Sequence, residues 1–185
     1  MKGLLSAGTA PESRKKALHP AARRLRLPAF RMKHVVIHTD GACKGNPGPG
    51  GYGVVMVCGK HRLELSKGFA RTTNNRMELM ATIVALETLK EPCAIELMSD
   101  SRYVIDAMTK NWIKGWKAKG WKTASNQPVK NQDLWVRLSA ATTGHQITWK
   151  WLRGHAGHRE NERCDVLAVA AATGRDLPVD AGFDG

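Results

Sequence analysis

No apolar run in the sequence approaches the ~18 consecutive residues that a membrane-spanning helix requires. The opening stretch "GLLSAGTA" is also too short for the apolar core of a secretory signal. These absences predict a soluble, cytoplasmic protein with no membrane partner. Cysteine is scarce: Cys43, Cys58, Cys93 and Cys164 are widely separated and form no C-x-x-C pair. A disulfide framework and a four-cysteine zinc site are therefore not expected, and reduced thiols are. Acidic residues are outnumbered, with 16 Asp and Glu against 29 Lys and Arg and a formal charge of +13. That imbalance favours an anionic partner, with nucleic acid ahead of an acidic membrane surface.

The excess charge is unevenly spread. Residues 1–33 hold nine Lys or Arg and one Glu, a net of +8, which leaves +5 for the rest. This basic segment also carries Pro11, Pro20 and Pro28 and has no sustained apolar face, so a disordered N-terminal extension outside the fold is expected. A chain of 185 residues suits one domain with a substantial core.

From His34 the pattern becomes that of a folded domain. "HVVIHTD", "YGVVMVCG" and "HRLELSKGFA" read as three β-strands with short links, which suggests an antiparallel meander. The period then changes: Met77, Met80, Val84 and Leu86 or Leu89 recur at helical spacing, and Pro92 lies beyond that helix. "CAIELMSD" reads as a strand, "SRYVIDAMTK" and "NQDLWVRLSAATT" as helices, "HQITWKWLRG" as a strand and "RENERCDVLAVAAAT" as a final helix. The order predicts a mixed α/β domain.

Between the second and third helices, Trp112, Trp116 and Trp121 are interleaved with Lys110, Lys114, Lys117, Lys119 and Lys122, and no acidic residue occurs from Ala107 to Gln132. One reading anchors the tryptophans in the core and leaves the lysines solvated. The favoured one is a basic, aromatic ledge that grips a phosphate backbone.

Four carboxylates fall at the edges of these elements. Asp40 could open a turn with Gly41, Asp100 could cap the helix that begins near Ser101, and Asp165 could be an ordinary helical acid. Glu78 sits among Met77, Leu79 and Met80, where a buried carboxylate needs a cation, an amide or a metal. If all four converge, their hard oxygens suit magnesium or manganese, and two such ions serve phosphodiester displacement. A competing pattern is "WLRGHAGHRENERCD", which places His155, His158, Cys164 and Asp165 close together and could be a zinc site.

Ordered matches resolve much of this. "TDGACKGNPGPGGYG", "TTNNRMELMA", "SDSRYV", "WKTASNQPVKNQDLW" and "WLRGHAGHRENERCD" together resemble ribonuclease H of the bacterial type I class, across most of residues 34–173. The resemblance implies a ribonuclease H-like fold, a five-stranded mixed sheet flanked by helices, with residues 174–185 as a C-terminal tail. It implies an endonuclease that hydrolyses the RNA strand of RNA/DNA hybrids and leaves 5′-phosphate and 3′-hydroxyl ends. Two Mg2+ ions, with Mn2+ as a substitute, would be held by Asp40, Glu78, Asp100 and Asp165, and Asp40 would bridge them. His155 matches a mobile-loop histidine that helps move protons or release product, flanked by Gly154 and Gly157, so the zinc reading gives way.

By the same resemblance, Cys43, Asn46, Asn74 and Asn75 match contacts near the hybrid's minor groove, and Arg71, Thr73 and Asn131 match a DNA phosphate pocket. Trp116 with Lys117 and Lys119 matches a basic protrusion that holds the DNA strand. Arg102 departs from the pattern, standing where several relatives carry a glutamine that contacts RNA; arginine cannot accept a hydrogen bond. Residues 1–33 have no counterpart in the compact form, which leaves Met32 as an alternative start and added nonspecific nucleic-acid affinity as a role for the segment. A monomer with no obligate protein partner is expected.

Overall fold

The computed structural model describes residues 32–183, so the expected disorder and affinity of the N-terminal segment lie almost wholly outside the described residues. Three long strands come first: β1 (Lys33–Cys43), β2 (Gly48–Cys58) and β3 (His61–Thr72). They pair antiparallel, as the short links predict, with a tight turn at Gly59 and Lys60. α1 (Asn74–Glu87) follows, then β4 (Cys93–Ser99), α2 (Arg102–Thr109), α3 (Trp112–Ala118), α4 (Gln132–Ala141), β5 (Gln146–Trp151) and α5 (Arg159–Ala172). β4 returns parallel to β1, and β5 parallel to β4, giving the sheet order β3-β2-β1-β4-β5. This is the mixed five-stranded sheet expected.

The two faces of the sheet are covered differently. α1 buries Met77, Leu79, Met80, Ile83 and Leu86, and so many apolar positions around one helix mark a central core element rather than a surface one. It packs with Ile37, Val54, Leu97, Val104, Trp135 and Leu138 on one side of the sheet. α5 covers β1, β2 and β3 on the other side through small buried residues, Cys164, Ala168 and Ala172. Its close approach depends on Gly53, where any β-carbon would run into the Cys164 carbonyl.

The segment 174–183, set apart as a tail in the sequence, is docked on the domain. The Ala70 amide of β3 donates to the Pro178 carbonyl at 2.9 Å. Asp180 is buried and accepts hydrogen bonds from Arg76 and Thr72.

α3 is an element that periodicity did not reveal. Trp116, which the resemblance places in a DNA-holding protrusion, is half-buried and packs on Trp135 with ring centroids 5.3 Å apart, while Trp112 is 38% exposed. This is the arrangement of the first reading: the tryptophans partly anchor the segment, and Lys110, Lys114, Lys117, Lys119 and Lys122 are solvent-exposed.

Candidate active site

Strand register brings two of the carboxylates together. β1 and β4 run parallel with Thr39 beside Ser99, so the next residues, Asp40 and Asp100, emerge side by side at the same end of the sheet. Asp40 lies inside β1, opposite Gly53, and does not open a turn. Nor does Asp100 cap α2: the N-cap is Ser101, whose hydroxyl accepts from the Val104 amide at 3.3 Å.

The helices deliver the other two. At Gly41, just after Asp40, a β-carbon would lie 2.5 Å from the Glu78 amide nitrogen, so α1 crosses β1 here in direct contact and carries Glu78 to the site. On the opposite face, the Cys164 carbonyl rests on Gly53, the partner of Asp40, and Asp165 is the next residue. Cys164 is buried and points to the sheet, donating its thiol to the His38 carbonyl at 3.2 Å, while Asp165 is only half-buried. The sequence cluster ending at Cys164 and Asp165 therefore separates in space, and no zinc site forms from it among the described residues.

Burial and mutual repulsion dominate the electrostatics. Burial, then the neighbouring Asp100, Asp165 and Glu78 charges, push the Asp40 carboxyl from its ordinary 3.8 to about 8, against one favourable bond from the Gly41 amide at 2.7 Å. Burial, and after it the Asp100 charge, push Glu78 up to about 7, although the Ser101 hydroxyl and the Asn74 amide both donate to it. The partners of this half-buried acid are thus a hydroxyl and an amide, not a cation. Among the described residues no three His, Cys, Asp or Glu side chains close tightly enough in this conformation to grip one ion. The four carboxylates share a neighbourhood, with Glu78 turned towards Ser101.

The loop between β5 and α5 borders this cluster. A β-carbon at Gly154 would meet Asp100 Oδ2 at 2.7 Å, so the loop backbone lies against that carboxylate. His155 follows, exposed and in the left-handed region at φ 51°, a conformation uncommon for a residue with a β-carbon. Trp151, at the end of β5, donates its indole N–H to the Asp100 carbonyl at 2.9 Å and stacks beneath the Arg102 guanidinium, 3.6 Å from ring centroid. Neither Ser101 nor Trp151 was singled out from the sequence. Ser101 was hidden because Asp100, beside it, is an equally good capping type; the role of Trp151 depends on a contact across 51 residues.

A separate cleft of about 810 Å³ opens between the N-termini of α1 and α4, lined by Asn46, Thr73, Asn75, Lys130 and Asn131. Thr73 is the N-cap of α1, and its side chain accepts from the Arg76 amide. Asn131, at φ 57°, is the N-cap of α4 but makes no side-chain cap; its amide donates instead to the Tyr103 hydroxyl at 3.2 Å. Asn46 accepts from the Asn74 amide at 3.3 Å. Arg71 is exposed at the end of β3, and Cys43, at the end of β1, donates weakly to the Gly48 and Thr72 carbonyls.

A five-stranded mixed sheet of this order, antiparallel across its first three strands and parallel beyond them, with helices on both faces, is the ribonuclease H-like class of fold. The sequence profile of that family, RNase H, matches residues 32–173. The chain belongs to the RNase H family. It is 60% identical over 152 residues to the ribonuclease H of Shewanella amazonensis, covering 82% of this chain and 97% of that protein. It is also 60% identical to the Aeromonas hydrophila ribonuclease H, covering 98% of it. Among solved structures it resembles LC9-RNase H1, a type 1 RNase H with the type 2 active-site motif, at TM-score 0.72 and 34% identity, covering 80% of this chain and 76% of that one. RNase H1 of Halobacterium salinarum is similar at TM-score 0.53 and 32% identity, covering 75% of this chain and 96% of that one.

Proposed function

We propose that the chain is an endonuclease that hydrolyses the RNA strand of RNA/DNA hybrids, using divalent cations held by Asp40, Glu78, Asp100 and Asp165. The observation that supports the proposal is that β1, α1, the link after β4 and α5 carry Asp40, Glu78, Asp100 and Asp165 to one end of the sheet, where burial and their mutual charge push Asp40 and Glu78 upward. The donor set suits Mg2+ or Mn2+, being all hard oxygen. Two such ions, when bound, supply water activation and stabilisation of the leaving oxygen. Without a dication, a phosphodiester would meet a concentration of negative charge.

The protein groups have separable tasks. Asp40, beside Asp100 and buried among the other acids, would be the ligand shared between bound cations. Ser101 and Asn74 hold Glu78 in orientation through bonds that a stronger ligand can replace. His155, on an exposed turn beside Asp100, can give a proton to the departing 3′-oxygen, which leaves as a 3′-hydroxyl while the other fragment keeps the 5′-phosphate.

Substrate selection falls to the surrounding surface. Asn74 and Asn75, with Asn46 and Cys43, present amide and backbone groups that suit 2′-hydroxyls and groove edges. Thr73, Asn131 and Arg71 suit a phosphate of the DNA strand, because two helix N-termini open into one cleft. Lys117 and Lys119, beside Trp116, add sequence-tolerant charge.

The deciding experiment compares labelled RNA/DNA hybrid, duplex RNA, duplex DNA and single-stranded RNA, each with Mg2+, Mn2+ or EDTA. Cleavage confined to the hybrid's RNA strand and abolished by EDTA is expected. Equal cleavage of duplex RNA, or cleavage that survives EDTA, would overturn the proposal.

A further inference from the structure

Arg76, in the first turn of α1 and 2% exposed, lies at the floor of the proposed phosphate cleft, whose lining also includes Asp133. Its Nε and Nη2 donate to Asp180 at 2.7 and 2.9 Å, and its Nη1 and Nη2 donate to Asp133 at 3.0 and 2.8 Å. Asp180, 3% exposed, also accepts from the Thr72 hydroxyl at 2.7 Å. One guanidinium therefore ties together the first turn of α1, the first turn of α4 and the segment that follows α5.

The tie acts on the two residues that shape the cleft. The Arg76 backbone amide donates to Thr73 Oγ1 at 3.4 Å, so Thr73 is fixed from the same residue that holds Asp133. Asp133 is two positions beyond Asn131 in α4. Gly182 packs against both Asp133 and Arg76, and Ala181, Gly182 and Phe183 form a wall of the cleft.

A stability role alone is a poor account of such a network. Burying Arg76 with Asp180 carries a desolvation cost that an apolar pair of similar volume avoids, and Asp133, 43% exposed, offsets little of it. What an apolar cluster lacks is the fixed, bidentate geometry of a guanidinium and a carboxylate, which sets both distance and orientation between the segments it joins.

We infer that the Arg76–Asp133–Asp180 network is a positioning device for substrate phosphate: it sets the spacing of Thr73 and Asn131 and makes the C-terminal segment a working part of the hybrid-binding site. The inference rests on the cleft's proposed role as a phosphate site. Arg76, Asp133 and Asp180 act through Thr73 and Asn131 and need not touch the hybrid.

The test uses the full chain with Asp180→Asn and Asp133→Asn, and reads hybrid cleavage, hybrid binding in Ca2+, and thermal melting. Each variant should raise KM and weaken binding by roughly tenfold, about the worth of one charge-assisted contact, while kcat stays within about twofold. Ile95→Ala, in the core towards the far end of the sheet, is the control: it should lower the melting temperature and leave KM unchanged. A hybrid with a neutral methylphosphonate at the contacted DNA position should weaken the native protein more than Asp180→Asn, because the variant has already lost that contact. Unchanged KM and binding in both variants, or equal sensitivity to the methylphosphonate, would overturn the inference and leave the network purely structural. Failure of the native protein to bind or cleave any hybrid would instead overturn the proposed function itself, and the inference with it.

Discussion

Gly53 on β2 stands directly opposite Asp40 on β1, and its missing side chain is the space into which the α5 backbone settles at Cys164. The pairing lets a helix from the far end of the sequence bring Asp165 up to the residue that ends the first buried run of strand. A side chain at Gly53 has no room, because the atom it would meet is a backbone carbonyl and not a flexible tip. Gly53→Ala is therefore expected to displace α5, cost roughly 1–3 kcal/mol of stability, and reduce cleavage by more than its effect on melting explains. Thermal melting and a steady-state assay well below the transition separate the two effects.

Asp40→Asn should remove cleavage and raise the stability of the metal-free protein. The side chain keeps its volume while the least welcome charge in the cluster disappears. With burial and then Asp100 as its largest penalties, the gain is expected to be roughly 1–4 kcal/mol near neutral pH. Melting in EDTA measures it; an Asn variant that melts at or below the native temperature would contradict the repulsion described.

Ser101→Ala severs two bonds at once, the α2 cap to Val104 and the hydrogen bond to Glu78. Loss of the cap should cost roughly 1 kcal/mol. Release of Glu78 should raise the Mg2+ concentration needed for half-maximal cleavage. Ser101→Thr, which keeps the hydroxyl, should restore much of the metal dependence.

The Arg76 network has a defined pH signature. Burial alone would raise the Asp180 carboxyl, but the hydrogen bonds from Arg76 and Thr72 outweigh it and hold the group below its ordinary 3.8. A carboxylate depressed in the folded state contributes stability that is fully present above that ordinary value and is lost as pH falls through the folded value. Acid melting from pH 5 to about 2 should therefore show a steeper decline in the native protein than in Asp180→Asn. An identical slope in both would count against the ion pair.

Replacing Lys117 and Lys119 together with Gln should weaken hybrid binding and flatten its salt dependence. Lys117 already donates to Ser139 at 2.6 Å, so the two lysines are not equivalent. The slope of log K against log salt is expected to fall by about 1 rather than by the nearly 2 that two free phosphate contacts would contribute. Binding titrations at several salt concentrations check it.

Much of the architecture was legible from local pattern. Alternation and β-branching in "HVVIHTD" and "YGVVMVCG", and the change of period at Met77, are short-range signals that the backbone obeys because each segment has one way to bury its apolar side. α3 was not legible: "WIKGWKA" has Gly115 and three bulky residues in seven positions, and its helix depends on packing Ile113 and Trp116 inward. The docking of residues 174–183 was equally hidden, because Asp180 is an unremarkable acid until Arg76 is placed beside it.

The sequence by itself determined every element but α3, the supply of carboxylates, and the family to which their ordered motifs point, because those are properties of composition, period and short spacing. Only the tertiary structure decided which acid meets which. Parallel register put Asp100 next to Asp40, Gly53 admitted α5 and Asp165, Ser101 rather than Asp100 took the helix cap, and Cys164 turned away into the core. The physical reason is that such contacts join residues far apart in the chain, where no local pattern records the distance and only the packing of one surface against another sets it.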